Sequence, residues 1–312
     1  MADIVTLTPN PAIDLSTAID RVLPTIKLRC TAAKRDPGGG GINVARVIKR
    51  LGGDVEALFP IGGFTGQLLR RLVSDEGIPH RVVEVEAETR EDFSVTEQST
   101  GQQFRFLLPG LALRAGEWQA CLDLLAASTP APKFVVASGS LPPGVPADFY
   151  ARAAAIAKGV GAKFVLDTSG APLAEALKHG VYLIKPNLRE MREFAGEPFI
   201  GQRDWIAAAH RLIDAAKVEV VAMSLGHLGA LVVTRERALR AHAVPIKPLS
   251  SVGAGDSFLA AMVFGLATGK SMPDAFQLGV AAGTAALVHA GTELSQPADV
   301  EKFYSQVQIA EV

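Results

Sequence analysis

Cysteine is scarce in this chain: Cys30 and Cys121 are the two in 312 residues. They lie far apart and show no Cys-x-x-Cys spacing. That excludes a disulfide-stapled scaffold and a thiolate zinc ribbon, and it reads as two free thiols in a reducing compartment. Aromatic residues make up only 6% of the chain. Neither sign of charge dominates, since 31 Lys and Arg face 32 Asp and Glu for a net charge of −1. No basic surface for nucleic acid or for an anionic membrane is therefore expected. No window of ~18 uninterrupted apolar residues occurs, so no hydrophobic membrane-spanning helix is expected. The opening Met-Ala-Asp-Ile runs straight into strand-like sequence without a basic stretch and apolar core, so no signal peptide is expected. These absences leave a cytoplasmic globular enzyme or small-molecule binding protein.

What is present is an apolar fraction of 48%, ample for a large core. Short β-branched runs bounded by Gly, Pro, Asn or Ser predict buried strands at Ile4–Leu7, Ala57–Ile61, Phe134–Ala137, Phe164–Leu166, Tyr182–Ile184 and Val218–Met223. Between them, amphipathic periodicity predicts helices at Ile42–Leu51, Gly66–Asp75, Ala147–Lys158, Leu173–His179, Leu188–Ala195 and Asp204–Ala216. Strand alternating with helix implies an α/β fold, a mainly parallel sheet with helices on both faces. Two stretches break the rhythm. Ala12–Asp36 is polar and lacks helical period, and Val82–Leu108 alternates apolar and polar residues around a hairpin-like Ser99-Thr100-Gly101. We read residues 1–312 as a single α/β domain, with insertions at about 12–36 and 82–108 building a small β-lid.

The segment Ser250–Met262 reads as a glycine turn, an acid and a buried helix. Unpaired amides at a helix start form an anion hole, and Asp256 sits in its mouth. Asp256 is either a plain helix cap or a catalytic base. Gly253 and Gly255 favour the base, because a cap needs no bare backbone, whereas phosphoryl transfer needs amides around the moving charge and a carboxylate to take a proton. The Walker pattern GxxxxGK[ST] is absent. At the other end of the chain, Gly38–Gly41 precede a helix that carries Asn43. Four successive glycines exceed what a turn needs, and the excess suggests a ligand lying on bare backbone.

Val252-Gly-Ala-Gly-Asp-Ser257 and Pro37-Gly-Gly-Gly-Gly-Ile-Asn-Val-Ala-Arg46, in this order and at opposite ends, resemble the two signatures of the ribokinase-like (PfkB) sugar kinases. The resemblance spans the chain. It implies a three-layer sandwich with a β-lid, and ATP-dependent phosphorylation of a sugar. Asp256 would be the general base, with Gly253, Ala254 and Gly255 forming the anion hole. Sugar contacts would come from Gly38, Gly39, Asn43 and Asp14, and from Ser138 or Ser140 in Ser138-Gly-Ser-Leu-Pro-Pro-Gly144. Lys27, Arg29, Arg90 and Arg105 fall in the lid. Lys27 and Arg90, then Arg105, are the candidates to hold a phosphate already on the sugar. Lys27–Thr31 and a glycine at position 40, where related kinases of fructose 1-phosphate and tagatose 6-phosphate carry lysine, point to fructose 6-phosphate as substrate. Those two specificities are the alternatives, and a non-catalytic sugar-phosphate sensor is the rival from another class.

For the nucleotide, the resemblance implies Lys185, an Asn187-x-x-Glu190 motif that organises Mg²⁺ largely through water, the turn Ser224, Gly226 and Gly229, and Gly283 and Thr284 near the base. Glu190 is equally a capping-box residue on its own pattern, and Gly283 and Thr284 equally a close helix contact. Carbonyls of Ser250, Val252, Ala286 and Gly291 match the K⁺ site of some relatives, with His289 and Glu293 departing from that pattern. A homodimer through the lid is also implied.

Overall fold

The computed structural model describes residues 2–110, 112–196, 199–215 and 217–312. The first third of the chain gives β1 (Ile4–Leu7), β2 (Ala12–Ile19), β3 (Lys34–Gly38), α1 (Gly40–Arg50), β4 (Val55–Ile61), α2 (Gly63–Asp75), β5 (His80–Glu84), β6 (Arg90–Glu97) and β7 (Gln103–Phe106). The middle gives α3 (Ala115–Ala126), β8 (Phe134–Ser138), α4 (Phe149–Gly159), β9 (Lys163–Asp167), α5 (Gly170–Ala176), β10 (Val181–Ile184), α6 (Leu188–Ala195), α7 (Gln202–Asp214) and β11 (Val218–Ser224). The remainder gives β12 (Ala230–Val233), β13 (Ala238–Ala241), α8 (Ala254–Ala267), α9 (Met272–Leu287), α10 (Pro297–Tyr304) and β14 (Ile309–Glu311). Of the helix expected over Asp204–Ala216, Ala216 lies outside the described residues.

Ten strands form one sheet, in the order β14-β13-β12-β11-β10-β9-β8-β1-β4-β5. Every neighbouring pair from β11 through to β5 is parallel, and the extension from β11 to β14 is antiparallel. Alternation along each strand splits the core into two layers. Ile4 of β1 packs in a cluster with Ile42 and Val47 of α1, Phe258 and Leu259 of α8, and Phe276 of α9. Val5 and Leu7 pack on the other face with Leu122 of α3, Phe149 of α4 and Trp205 of α7. A sheet covered on both faces is the three-layer arrangement expected from its continuous apolar strands. α8 is buried on every side from Ser257 to Val263, and its residues are correspondingly small or apolar all round.

A separate four-stranded sheet has the order β3-β2-β6-β7. β2 runs antiparallel to β3 and parallel to β6, which forms a hairpin with β7. The Ser99-Thr100-Gly101 turn closes that hairpin, with Gly101 at φ +73°. One expectation needs correction. The alternation over Val82–Leu108 places Val83 with the small sheet, whereas β5 pairs with β4 at the edge of the large sheet, Val83 opposite Pro60. Alternation marks a half-buried strand without naming its neighbour. The antiparallel extension, α3 and α10 were not anticipated.

Candidate active site

The parallel strands all end on one edge of the large sheet, where ligands of open α/β folds bind. β8 ends there on Ser138, β9 on Asp167, β10 just before Lys185 and β11 on Ser224. The first turns of α1 and α8 meet at this edge. Asn43 Nδ2 of α1 donates to Asp256 Oδ2 of α8 at 3.0 Å. The helix α8 begins at Gly253 without a side-chain cap, and Asp256 lies in its first turn. Asp256 therefore bonds across to another helix rather than capping its own, which removes the cap reading.

The glycines around these turns are accounted for by the chain's own packing. A Cβ on Gly38 would lie 2.5 Å from Asp14 Cγ, one on Gly40 2.1 Å from Ser138 Oγ, and one on Gly41 2.4 Å from Thr8 Oγ1. Gly39 takes φ +103°, closed to most side chains. A Cβ on Gly253 would meet Leu294 Cδ2 at 2.3 Å, and one on Gly255 would meet Lys185 Nζ at 3.2 Å. The apparent excess of glycine thus brings Asp14, Ser138 and Lys185 against bare backbone.

Charges converge at the same place. Lys185 Nζ lies 3.3 Å from Asp167 Oδ2, both largely buried, and Ser138 Oγ reaches the same carboxylate oxygen at 3.5 Å. Burial pushes the Asp256 carboxyl above its ordinary range, opposed by the Asn43 hydrogen bond and the charges of Lys185 and Arg105. Burial alone would lower Lys185, but Asp167, Asp256 and Glu190 outweigh it and hold the ammonium above its usual range. Asp167 is raised by burial and by Asp256, against the pull of Lys185. Burial, with Asp92 beside it, lifts Asp14 to about 7, opposed by Arg105 and Arg46. Carboxylates with pKa values driven upward in one cleft are a recurrent feature of catalytic sites.

The lid cations are not equivalent. Arg105 lies near enough to act on both Asp14 and Asp256. Arg90 is engaged: its Nη atoms bond Asp92, the Leu108 carbonyl and the Asn10 carbonyl, and only Nε, buried, lacks a partner. Lys27 and Arg29 are exposed in the strandless stretch after β2. Ser140 is exposed and accepts from Asn10 Nδ2 at 3.2 Å.

At the nucleotide end, Asn187 and Glu190 form a reciprocal capping box at the start of α6: Glu190 N donates to Asn187 Oδ1 and Asn187 N to Glu190 Oε2, both at 2.9 Å. Asn187 is bridged to Ser224 across the sheet edge. Gly226 and Gly229 close the following turn with φ of +61° and +96°. Gly283 packs on Ala254 and Phe258 of α8, and the Thr284 hydroxyl donates within α9 to the Val280 carbonyl at 2.9 Å. Ser250 Oγ donates to the Gly291 carbonyl at 2.8 Å, joining the loop before Val252 to the one after Ala286. His289 Nε2 lies 2.9 Å from Asp299 Oδ2, and its Nδ1 lies 4.0 Å from Glu293 Oε1.

A wider cleft, about 1060 Å³, opens at the opposite edge, beside Lys163, Tyr182 and Arg237. It holds none of the converging carboxylates. Sequence reading missed Asp167, Arg46, Asp92 and Thr292. Asp167 carried a signal, an acid directly after a buried strand. Thr292 did not, because its partner Asp36 is remote in sequence, and Arg46 and Asp92 read locally as surface charges until packing places Glu76 and Asp14 beside them.

Comparison with known proteins agrees with this arrangement. The family model described as pfkB family carbohydrate kinase matches residues 7–299. The chain is 48% identical over 301 residues to the ATP-dependent 6-phosphofructokinase isozyme 2 of Mycobacterium tuberculosis, covering 96% of this chain and 88% of that one. It is 39% identical to the enzyme of the same name from Escherichia coli, covering 98% and 99%. Crystal structures of phosphofructokinase-2 from Escherichia coli superimpose at TM-scores of 0.93, in complex with potassium, and 0.92, in complex with fructose-6-phosphate. Their identities are 38% and 37%, and each comparison covers 98% of this chain and 99% of the other. With a family model matched over nearly its whole length and its two signature turns meeting at one sheet edge, the chain belongs to the pfkB family of carbohydrate kinases.

Proposed function

We propose that this protein transfers the γ-phosphoryl group of ATP to the 1-hydroxyl of fructose 6-phosphate. The observation that carries the reading is Asp256, a carboxylate held by Asn43 over the open first turn of α8, with Lys185 across Gly255. The hydroxyl oxygen attacks the γ-phosphorus in line, the bond to the bridging oxygen breaks, and ADP leaves. Asp256 accepts the hydroxyl proton, and its raised affinity for protons suits a base. The amides of Gly253–Asp256 and the Lys185 ammonium hold the charge on the moving group. A sensor would have no use for such a base.

Asp14, Asn43, Gly38, Gly39, Ser138 and Ser140 are assigned to the sugar. Arg105, with Lys27, is assigned to the phosphate it already carries. Arg90 is assigned to holding β6 against the Asn10 and Leu108 carbonyls. Mg²⁺ fits Asn187 and Glu190 as an ion that keeps most of its water. The capping box leaves Glu190 Oε1 free, and among the described residues no group of three His, Cys, Asp or Glu is arranged to hold a metal. Bound with ATP, Mg²⁺ neutralises phosphate charge. The carbonyls of Ser250, Val252, Ala286 and Gly291 suit K⁺, which carbonyl oxygens bind well, and Ser250 already holds the two loops together.

We further assign residues 1–312 to one unit with the small sheet as its lid, a homodimer through that sheet, and a cytoplasmic location in keeping with its free cysteines. No helix among the described residues is long and apolar enough to cross a membrane. A coupled ADP-release assay over phosphorylated and free sugars tests the function. Fructose 6-phosphate should give the highest kcat/KM, above fructose 1-phosphate and tagatose 6-phosphate, and equal use of free fructose or ribose would overturn the reading. Arg105→Ala should raise KM for fructose 6-phosphate by about tenfold or more and leave that for ATP nearly unchanged, at the usual strength of a charge-assisted hydrogen bond.

A further inference from the structure

Arg46 is 2% exposed, one of the largest fully buried side chains in the protein. It sits on α1 one turn after Asn43. Its Nε donates to Glu76 Oε1 at 2.8 Å, and Nη1 donates to the Pro37 carbonyl at 3.0 Å and to Asn43 Oδ1 at 3.4 Å. Its Nη2 lies 3.6 Å from Asp36 Oδ1 and also meets Glu76. Asp36 Oδ2 in turn accepts from Thr292 Oγ1 at 2.7 Å. The expectation from sequence alone gave Asn43 to the sugar and gave Arg46 nothing.

The amide of Asn43 stands between a guanidinium and a carboxylate. With Oδ1 toward Arg46 and Nδ2 toward Asp256, both ends are attractive; turned over, the NH₂ would face the guanidinium and the carbonyl oxygen the carboxylate. Both neighbours select the same orientation. A cation on Oδ1 also polarises the amide and makes its N–H a stronger donor. We infer that Arg46 is a positioning residue for phosphoryl transfer: it fixes and polarises the Asn43 amide, which holds Asp256 ionised and aimed at the attacking hydroxyl. The same guanidinium, through Pro37, holds the end of β3 where Gly38 packs on Asp14, so both functional carboxylates take their placement from one buried charge.

This rests on Asp256 being the base. The charged groups that face Asp256 are Lys185 after β10, Asp167 at the end of β9, Arg105 of β7 and Asp14 of β2, and none of them is altered by the variants that follow. The acid limb of the pH profile of kcat/KM reports the base in the free enzyme. Loss of one hydrogen bond to the ionised carboxylate should move that limb up by about one pH unit. Asn43→Ala and Arg46→Lys should each show that shift, and the double variant should show no more than either alone, since both break one chain of contacts. Glu76→Gln removes a charge from Arg46 but keeps an acceptor. It should lower Tm while leaving the acid limb where it is in wild type.

An Arg46→Lys enzyme that loses stability but keeps the wild-type limb, or shifts that add in the double variant, would overturn the inference. If Arg46→Lys does not fold, Asn43→Ala and Glu76→Gln decide. An unmoved limb in the first, or a limb in the second that moves as far as in Asn43→Ala, sinks it. Failure of the underlying reading looks different, because Asp256→Asn would then keep its kcat.

Discussion

Asp256 and Asp14 are both carboxylates pushed toward their protonated forms by burial, yet they serve different ends. Asp256→Asn keeps the shape and the Asn43 neighbour but removes the proton acceptor. Its kcat should fall by ~10²–10⁴-fold, the usual loss for a general base. Steady-state kinetics beside a melting curve checks this, and full kcat in a stable variant would reassign the base. Asp14 makes a prediction about stability. Its folded pKa of about 7 lies above the value in an unfolded chain, near 4. The stability tied to this group is therefore complete below pH ~4 and is lost as the pH rises through about 7. In ligand-free protein, Asp14→Asn should gain on wild type between pH 5 and pH 8, at roughly 2–4 °C in Tm for each 1 kcal/mol. A constant difference across that range would show that Asp14 stays ionised.

At the scale of the element, the start of α8 concentrates the demands. Gly253 takes φ +73° and touches Leu294, whereas Gly255 lies under the Lys185 ammonium. The two glycines should separate under substitution. Gly253→Ala adds a left-handed penalty of ~1–2 kcal/mol and displaces a core leucine, so Tm and kcat should fall together. Gly255→Ala meets only the far end of the Lys185 side chain, at 3.2 Å, where a small shift of the ammonium makes room. It should keep Tm near wild type while lowering kcat, because Lys185 is pushed from its place beside Asp167. Melting curves and turnover for the pair check this, and equal loss of stability in both would mean that Lys185 is as rigid as Leu294. The small sheet is also an element with a local requirement, the Gly101 turn that lets β7 fold back on β6.

At the scale of the molecule, one face of the small sheet leaves apolar surface uncovered. Phe93 and Phe106 sit opposite each other across β6 and β7, and both are exposed, as are Leu107 and Leu108. A sheet with exposed aromatics and free edges favours a partner. Light scattering at micromolar protein should give a dimer, and Phe106→Asp should give a monomer. Wild-type protein that is monomeric at that concentration would refute pairing through this sheet. Arg105 and the exposed Lys27 lie on the same insertions, so a monomeric variant should also bind fructose 6-phosphate more weakly.

Local sequence was enough to determine the strands that carry the site and the helices between them. Ile4–Leu7 and Leu188–Ala195 form where expected, because a buried strand needs a run of β-branched residues and a helix needs its period, and both are written within a few residues. The two glycine signatures marked the site's two ends for the same reason: a positive φ or a bare Cα is a property of one position. What the glycines are for was decided only in three dimensions. Gly40 makes room for Ser138 and Gly255 for Lys185, contacts that span 98 and 70 residues of chain. The edge to which β5 belongs depends on its neighbour, not on its own alternation. Likewise, Arg46 reads in sequence as one more charge on a helix. Only packing buries it and surrounds it with Asp36, Glu76 and Asn43, where a charge out of water must be matched group by group.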